Sequence, residues 1–341
     1  MSGLVRMVVT GSSGFIGSRL VARALRRGDH VVALDRRPAP AEVLAAAAGA
    51  PGVLVPLAVD LADVADPVTA ALPDVCGGAD AVVHCAARSG VRARAGADLV
   101  ALEAARARDI LGTAQAVLAA TAPDVPIVVM SSSAVYGGCL DAAGRRAPSR
   151  ETDQVRPLGS YAGWKVRVEQ ACARRAAAGG AVVVARPFTV VGEGQRPDMA
   201  VAAWLAAARA GRPLRVLGGL ERTRDLTDVD VVVAGLLAAL DRGAPGVVNL
   251  GSGRPRRLAE VVEAVAGAAA TAGWDAPRVV VERAAPEEVP ASWAATGRLR
   301  ALGVDPTTDL EAVVARQLRH LLAQAPAGAD DTVPDRATVA A

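Results

Sequence analysis

A glycine-spaced turn near the N-terminus constrains this chain more than any other feature of its sequence. The segment Thr10-Gly11-Ser12-Ser13-Gly14-Phe15-Ile16-Gly17 follows a valine-rich run and opens a stretch with helical spacing. In such a turn the first glycine permits a tight bend, the second lets the backbone approach a pyrophosphate, and the third allows close helix–strand packing. The positive end of the helix then binds phosphate. The motif therefore predicts a dinucleotide site formed by Gly11, Ser13, Gly14, Phe15, Ile16 and Gly17.

Short apolar runs alternate with alanine-rich helical stretches along most of the chain. The runs are rich in valine and mostly lack polar alternation, as strands do when both faces of a parallel sheet are covered. Candidate strands are residues 7–10, 31–34, 53–57, 81–85, 127–131, 181–186 and 247–250. This alternation predicts an α/β fold, a doubly wound parallel sheet with a smaller C-terminal lobe.

Glycine and proline interrupt this rhythm after residue 186, which predicts the domain organisation. The dinucleotide-binding domain should comprise residues 1–186 plus about 226–252. A smaller substrate-binding lobe should comprise residues 187–225 plus 253–322. Residues 323–341 are rich in Ala, Asp, Thr and Pro and show no periodic face, so we expect a mobile tail.

Composition excludes several classes of protein. The chain has 341 residues, 52% of them hydrophobic, which supports a large core and rules out global disorder. Its net charge of +3 gives no reason to expect a nucleic-acid partner. Uncharged apolar stretches such as 176–185 are shorter than the roughly 18 residues of a membrane span, and no signal-peptide pattern is present. We therefore expect a cytoplasmic protein without a membrane partner. The four cysteines show no CxxC spacing, so we expect no metal site.

Asp35 closes the second predicted strand and bears on the choice of cofactor. Its carboxylate can accept hydrogen bonds from the adenosine ribose hydroxyls and would repel a 2′-phosphate, which favours NAD over NADP. Arg36 follows directly and could host that phosphate, so NADP stays open. Asp60 and Leu61 come at the end of the third predicted strand. They either contact the adenine of the cofactor, or Asp60 is an ordinary capping residue.

Tyr161 and Lys165 form the second informative pair. Lys165 is the only lysine in the chain, and Tyr161 is one of two tyrosines. Residues four apart share one face of a helix. A phenol with a pKa of about 10 is a poor base at neutral pH, but a cationic neighbour and an oxidised nicotinamide stabilise its phenolate form. The spacing therefore favours an activated tyrosine over an ordinary surface pair.

A serine-rich segment, residues 131–133, follows the fifth predicted strand. Strand ends in open α/β sheets face the ligand crevice. A serine hydroxyl there could share a hydrogen bond with a reacting alcohol; the alternative is a simple turn.

Together these residues resemble the extended short-chain dehydrogenase/reductases, specifically the nucleotide-sugar epimerases and dehydratases. The resemblance runs from about residue 7 to residue 321. It covers the glycine turn, VVHCAA at 82–87, SSSAVYG at 131–137, the tyrosine–lysine pair, RDLTDVD at 224–230 and Gly-Ser-Gly at 251–253. It implies a Rossmann fold and an NAD cofactor contacted by Ala86, Tyr161 and Lys165. It also implies catalysis by Ser132, Tyr161 and Lys165, with Arg224 on the substrate diphosphate.

Two further segments are similar to UDP-glucuronate 4-epimerases. Residues 186–199 resemble their TVYG…RPDM segment, and residues 89–92 resemble their GVR loop. The resemblance implies substrate contacts from Ser89, Arg92, Ser132, Ser133, Thr189, Arg196 and Arg224. A guanidinium binds a carboxylate in a fixed plane, which suits Arg196 to a uronate. The dehydratases carry Asp-Glu after the catalytic hydroxyl, whereas this chain has Ser133-Ala134, which disfavours dehydration.

The leading hypothesis is an NAD-dependent C4 epimerase that converts UDP-glucuronate to UDP-galacturonate through a 4-keto intermediate. Alternatives are a UDP-glucuronate decarboxylase, a nucleotide-deoxysugar 4-ketoreductase and a non-catalytic dinucleotide-binding regulator. Asp109 stands where the family usually has asparagine, and it is the one feature that favours the regulator. The resemblance also implies a homodimer formed through the helices before Tyr161 and after Lys165.

Overall fold

The computed structural model describes residues 5–63, 66–88, 98–140 and 144–324. The predicted substrate contacts Ser89 and Arg92 lie outside the described residues, and so does most of the predicted tail. No helix within the described ranges is long and apolar enough to cross a membrane.

A seven-stranded parallel sheet forms the centre of the molecule, in the order β10-β6-β5-β4-β1-β2-β3. Each of the seven candidate strands belongs to it, with ends displaced by at most one residue. The strands of the described residues are β1 Arg6–Thr10, β2 His30–Asp35, β3 Val53–Ala58, β4 Ala81–His84, β5 Ile127–Met130, β6 Val182–Pro187, β7 Thr189–Val191, β8 Leu214–Leu217, β9 Thr223–Asp228, β10 Gly246–Leu250, β11 Pro255–Arg257, β12 Val279–Glu282 and β13 Ala291–Ser292.

Helices cover both faces of this sheet. The helices of the described residues are α1 Phe15–Arg27, α2 Ala41–Gly49, α3 Pro67–Ala70, α4 Leu72–Gly77, α5 Leu99–Arg106, α6 Thr113–Ala120, α7 Gly159–Ala177, α8 Ala200–Arg209, α9 Val229–Asp241, α10 Leu258–Thr271, α11 Gly297–Ala301 and α12 Leu310–Gln324. A π-helical segment, Ala107–Gly112, joins α5 to α6. Successive residues of each central strand point to opposite faces. Met7 and Val9 accordingly pack with α1 and α9, whereas Val8 packs with α6 and α7.

The edge strand β3 departs from the prediction of strands buried on both faces. Val53 and Val55 are 45% and 44% exposed, although their sequence is as apolar as that of the central strands. Burial follows from position in the sheet, because β3 has a neighbouring strand, β2, on one side only.

A separate hydrophobic cluster lies among the later elements. Helices α8, α10 and α12 pack with β8 around Trp204, which is buried. Two small sheets belong to this part of the chain: β8 pairs with β12, and β9 pairs with β7, β11 and β13. The carboxyl ends of β1, β4 and β5 face these elements across a cleft, and the strand order reverses between β1 and β4. In open α/β sheets this switch point is where ligands bind.

Two helical glycines provide a paired test of this packing. A Cβ at Gly235 on α9 would lie 2.6 Å from Leu250 Cδ2, whereas a Cβ at the exposed Gly267 on α10 would meet nothing within 4 Å. Overpacking costs about 1–3 kcal/mol, more than the helix-propensity gain of about 1 kcal/mol. Gly235→Ala should therefore lower the thermal midpoint, and Gly267→Ala should raise stability by about 0.5–1 kcal/mol. Shifts of the same sign in thermal unfolding would contradict the packing described for α9.

Candidate active site

One cleft of about 1000 Å³ brings the predicted site residues together. Every predicted residue that falls within the described ranges lines it. These are Gly11, Ser13, Gly14, Phe15, Ile16, Gly17, Asp35, Arg36, Asp60, Leu61, Ala86, Ser132, Ser133, Tyr161, Lys165, Thr189, Arg196 and Arg224. Residues as far apart in sequence as Gly11 and Arg224 thus share one surface, which the sequence pattern alone does not establish.

The glycine turn is as compact as its spacing predicts. Gly11 has a φ of 68°, and a Cβ there would lie 2.6 Å from the backbone nitrogen of Ala86. A Cβ at Gly17 would lie 2.1 Å from the Gly11 carbonyl oxygen. Helix α1 therefore starts against β1 and β4. Among the described residues no side chain caps its first turn, and the turn faces the cleft. These features fit the pyrophosphate of a dinucleotide.

Asp35 is anchored at the end of β2. Its carboxylate accepts hydrogen bonds from the backbone N–H groups of Ser13, at 3.0 Å, and Arg37, at 2.9 Å. Arg36 and Arg37 are both exposed, and the guanidinium that approaches the carboxylate is that of Arg37, at 3.5 Å. Arg37 also donates to the Ser13 carbonyl. Sequence reasoning weighed Arg36 and missed Arg37, because adjacency in sequence does not show which side chain turns back.

Tyr161 lies on the first turn of α7 and shares a hydrogen bond with the side chain of Ser132. Burial raises the pKa of Tyr161 above its usual value of 10, and this effect is opposed by Ser132, Arg196 and Arg106. Ser132 itself accepts a hydrogen bond from the Ala134 N–H at 3.2 Å, which fixes its side chain at the strand end. The phenol is therefore protonated at neutral pH and depends on nearby cations to become a base.

Lys165 lies one turn after Tyr161 and is buried. Its ammonium donates to the Met130 carbonyl at 2.8 Å. Burial lowers the pKa of Lys165 to about 8, although the nearby Cys85, Cys172 and Glu169 raise it. Glu169, one further turn along α7, accepts from Ser131 and pairs with Arg186 through two hydrogen bonds. Helix α7 thus fixes the serine segment after β5.

Asp109 occupies the π-helical segment and is paired twice. Its carboxylate accepts from Arg88 Nε at 2.9 Å and from Arg108 Nε at 2.8 Å. Burial raises the pKa of Asp109, but the hydrogen bonds and charges of the two arginines outweigh it and lower the pKa below its usual value. The acidic departure from the family pattern is therefore compensated locally. Arg88 also lines the cleft, and sequence reasoning missed it.

The predicted substrate arginines are also paired. Arg196 lies 3.0 Å from Asp198, and both side chains are partly exposed. Arg224 is buried and contacts the buried Glu288 at 2.9 Å. Glu288 lines the cleft as well. Its role has no signal in the sequence, because 64 residues separate it from Arg224.

The fold and this cleft define a dinucleotide-binding α/β protein whose tyrosine–lysine pair lines the same cleft as the glycine turn. The model of the NAD dependent epimerase/dehydratase family matches residues 7–251. The chain therefore belongs to this family. The predicted family, the predicted fold class and the predicted NAD cofactor are confirmed.

Similar proteins carry related names. UDP-glucuronate 4-epimerase 1 of Arabidopsis thaliana is 31% identical over 244 residues, which cover 67% of this chain and 53% of that protein. A protein of Rhizobium meliloti (strain 1021) named "Probable UDP-glucuronate 4-epimerase" is 28% identical over 244 residues, covering 66% of this chain and 65% of that protein. The matched region thus spans about half to two thirds of these curated relatives.

MoeE5 is a solved structure that resembles the whole described fold. In complex with UDP-glucuronic acid and NAD it is 29% identical, with a TM-score of 0.79, and the match covers 94% of this chain and 100% of MoeE5. A second MoeE5 structure contains UDP-glucose and NAD, with a TM-score of 0.78 and 30% identity over 93% of this chain and 99% of MoeE5.

Asp35→Ala should weaken NAD more than NADP. The substitution removes an acceptor for ribose hydroxyls and a charge that repels a 2′-phosphate. Titration of both cofactors into the parent, Asp35→Ala and the exposed control Asp74→Ala would measure the two dissociation constants. The assignment fails if the parent binds NADP more tightly than NAD.

Lys165 permits a direct titration because the chain has no other lysine. Isotopically labelled lysine should give one side-chain signal with a midpoint near pH 8, since burial lowers its pKa to about 8 from 10.5. The unfolded chain holds this proton to higher pH, so the contribution of Lys165 to the unfolding free energy should rise between pH 8 and 10.5. A midpoint near 10.5 would show that the ammonium is solvated.

Proposed function

We propose that the protein is an NAD-dependent C4 epimerase of a nucleotide hexuronate, which converts UDP-glucuronate to UDP-galacturonate through a 4-keto intermediate. The observation that carries the proposal is the position of Arg196. Its charge acts on the hydroxyl of Tyr161 within the same cleft. A cation near the reacting group suits a hexuronate, because its carboxylate is attached to C5, the neighbour of the reacting carbon C4.

Three side chains would take part in the proton transfer, and one of them, Tyr161, would carry the proton. Tyr161, as the phenolate, would take the proton of the sugar 4-hydroxyl and return it after the intermediate has turned over. Ser132, already hydrogen-bonded to Tyr161, would orient that hydroxyl. Lys165 would hold positive charge on the same helix face. NAD, when bound at the glycine turn and Asp35, supplies a reversible hydride acceptor for C4.

The carboxylate requires its own restraint. A 4-keto hexuronate carries its carboxylate β to the ketone and can lose carbon dioxide. Arg196 and Thr189 both line the cleft and would hold the carboxylate in an orientation that disfavours this cleavage. Arg196 is already held near Asp198, so its guanidinium is partly ordered before substrate binds. This restraint favours epimerisation over the decarboxylase alternative.

The nucleotide end would lie toward Arg224. Its buried guanidinium lines the same cleft as Arg196 and contacts Glu288. A buried arginine of this kind favours a diphosphate ligand. The relatives named UDP-glucuronate 4-epimerase and the MoeE5 complex with UDP-glucuronic acid support the same substrate class. A homodimer and a cytoplasmic location remain predictions, which the molar mass in solution and cell fractionation would test.

The direct experiment is to incubate the purified protein with NAD and UDP-glucuronate and to resolve the products. UDP-galacturonate is expected at equilibrium with the substrate. A UDP-pentose with release of carbon dioxide would establish the decarboxylase instead. Net consumption of a reduced cofactor with a keto sugar would establish the ketoreductase.

Arg196→Ala tests the uronate. Hydrogen bonds to charged groups contribute roughly 1.5–3 kcal/mol, so kcat/KM for UDP-glucuronate should fall by about one to two orders of magnitude. UDP-glucose lacks the carboxylate and should be affected much less, so the ratio of the two kcat/KM values should narrow. The exposed Arg319→Ala, outside the cleft, is the matched control. If the ratio of kcat/KM for UDP-glucuronate to kcat/KM for UDP-glucose is unchanged, Arg196 does not bind the carboxylate and has only a structural role in its loop.

A further inference from the structure

A charged pair on α5 lies against the first turn of α7, where Tyr161 lies. Arg106, at the end of α5, is 4% exposed and donates to Glu103 Oε1 at 3.0 Å. Burial of a guanidinium costs free energy unless the charge is paired, so a buried arginine at this position indicates a specific role. The catalytic motifs do not include either residue.

Glu103 binds α7 on both sides of Tyr161. Its carboxylate accepts a short hydrogen bond from the hydroxyl of Ser160, the residue before Tyr161. It also accepts from Trp164 Nε1 at 2.9 Å, three residues after Tyr161. These hydrogen bonds lower the pKa of Glu103, so the carboxylate is ionised and holds both donors. Two attachments that bracket one residue fix the rotation of that helical turn.

Arg106 belongs to a different element from the other cations near Tyr161. Three groups stabilise the charged form of Tyr161: the Ser132 hydroxyl after β5, Arg196 before α8, and Arg106 from α5. Lys165, on α7 itself, donates to the Met130 carbonyl. Arg196 is partly exposed and is expected to engage the substrate, whereas Arg106 is buried and paired with Glu103.

We propose that Glu103 and Arg106 are a positioning pair for Tyr161, in which the carboxylate fixes the first turn of α7 and the guanidinium stabilises the phenolate. The pair supplies a cation that is independent of substrate. Only the expected effect on kcat rests on the proposed function. The expected effect on the ionisation of Tyr161 does not, because that ionisation can be measured without any sugar.

The ionisation test uses the small number of tyrosines. With tyrosine labelled at the ring carbon that bears the hydroxyl, the protein with saturating NAD gives two signals, which Tyr161→Phe assigns. Arg106→Met should move the Tyr161 midpoint to higher pH, because a buried cation is lost. Arg106→Lys keeps the charge and should remain near the parent. Arg174→Met removes an exposed arginine 13 residues further along α7, about 20 Å away, and should change nothing.

The kinetic test separates charge from structure. Arg106→Met should lower kcat about tenfold at neutral pH, a fraction of what general base catalysis contributes, and kcat should recover as the pH rises. Glu103→Gln should lower kcat at every pH without moving the midpoint of Tyr161 upward, because it loosens the turn and removes no cation.

An unchanged Tyr161 midpoint in folded Arg106→Met would overturn the proposal. If Arg106→Met does not fold, Arg106→Gln carries the same comparison, because it retains donors for Glu103 and loses the charge. If UDP-glucuronate is not a substrate, the midpoints still decide the proposal, so its failure is distinguishable from failure of the proposed function.

Discussion

The close approach of α1 to the ends of β1 and β4 is the constraint on which the cleft depends. A Cβ at Gly17 would overlap the Gly11 carbonyl, and a Cβ at Gly11 would overlap the backbone of Ala86. The helix can begin at the strand ends only because both positions are glycine. Its first turn, which no described side chain caps, then faces the cleft at the point where the strand order reverses, so this turn and the Tyr161–Lys165 face of α7 border the same space.

Paired charges organise the remainder of the cleft. Asp109 holds Arg88, Glu288 holds Arg224, Asp198 lies beside Arg196, and Glu103 holds Arg106. Buried or half-buried arginines require such partners. Each carboxylate also limits where its guanidinium can point, so cations are ordered around Tyr161 and along the cleft before any ligand binds. Preorganised charge of this kind is the main means by which an enzyme stabilises a transition state.

Local pattern predicted the central sheet because each strand carries its own signal. The seven apolar runs became the seven strands, since fully buried parallel strands need continuous apolar sequence. Burial itself was not predictable strand by strand. Val53 and Val55 resemble Val8 and Val9 in sequence, yet the former pair is exposed because β3 lies at the edge.

The sequence by itself determined the features that depend on neighbours a few residues apart: the glycine turn, the Tyr161–Lys165 face and the polar residues at strand ends. The tertiary structure decided which of the many arginines meets which carboxylate. Arg106 and Glu103 share a helix, but the proposed effect on Tyr161 requires α5 to pack on α7. The hydrogen bond that joins these helices connects Glu103 to Ser160, 57 residues later in the chain. The placement of this pair against α7 has no sequence signal, because arginine is abundant and only packing brings a particular one to a particular site.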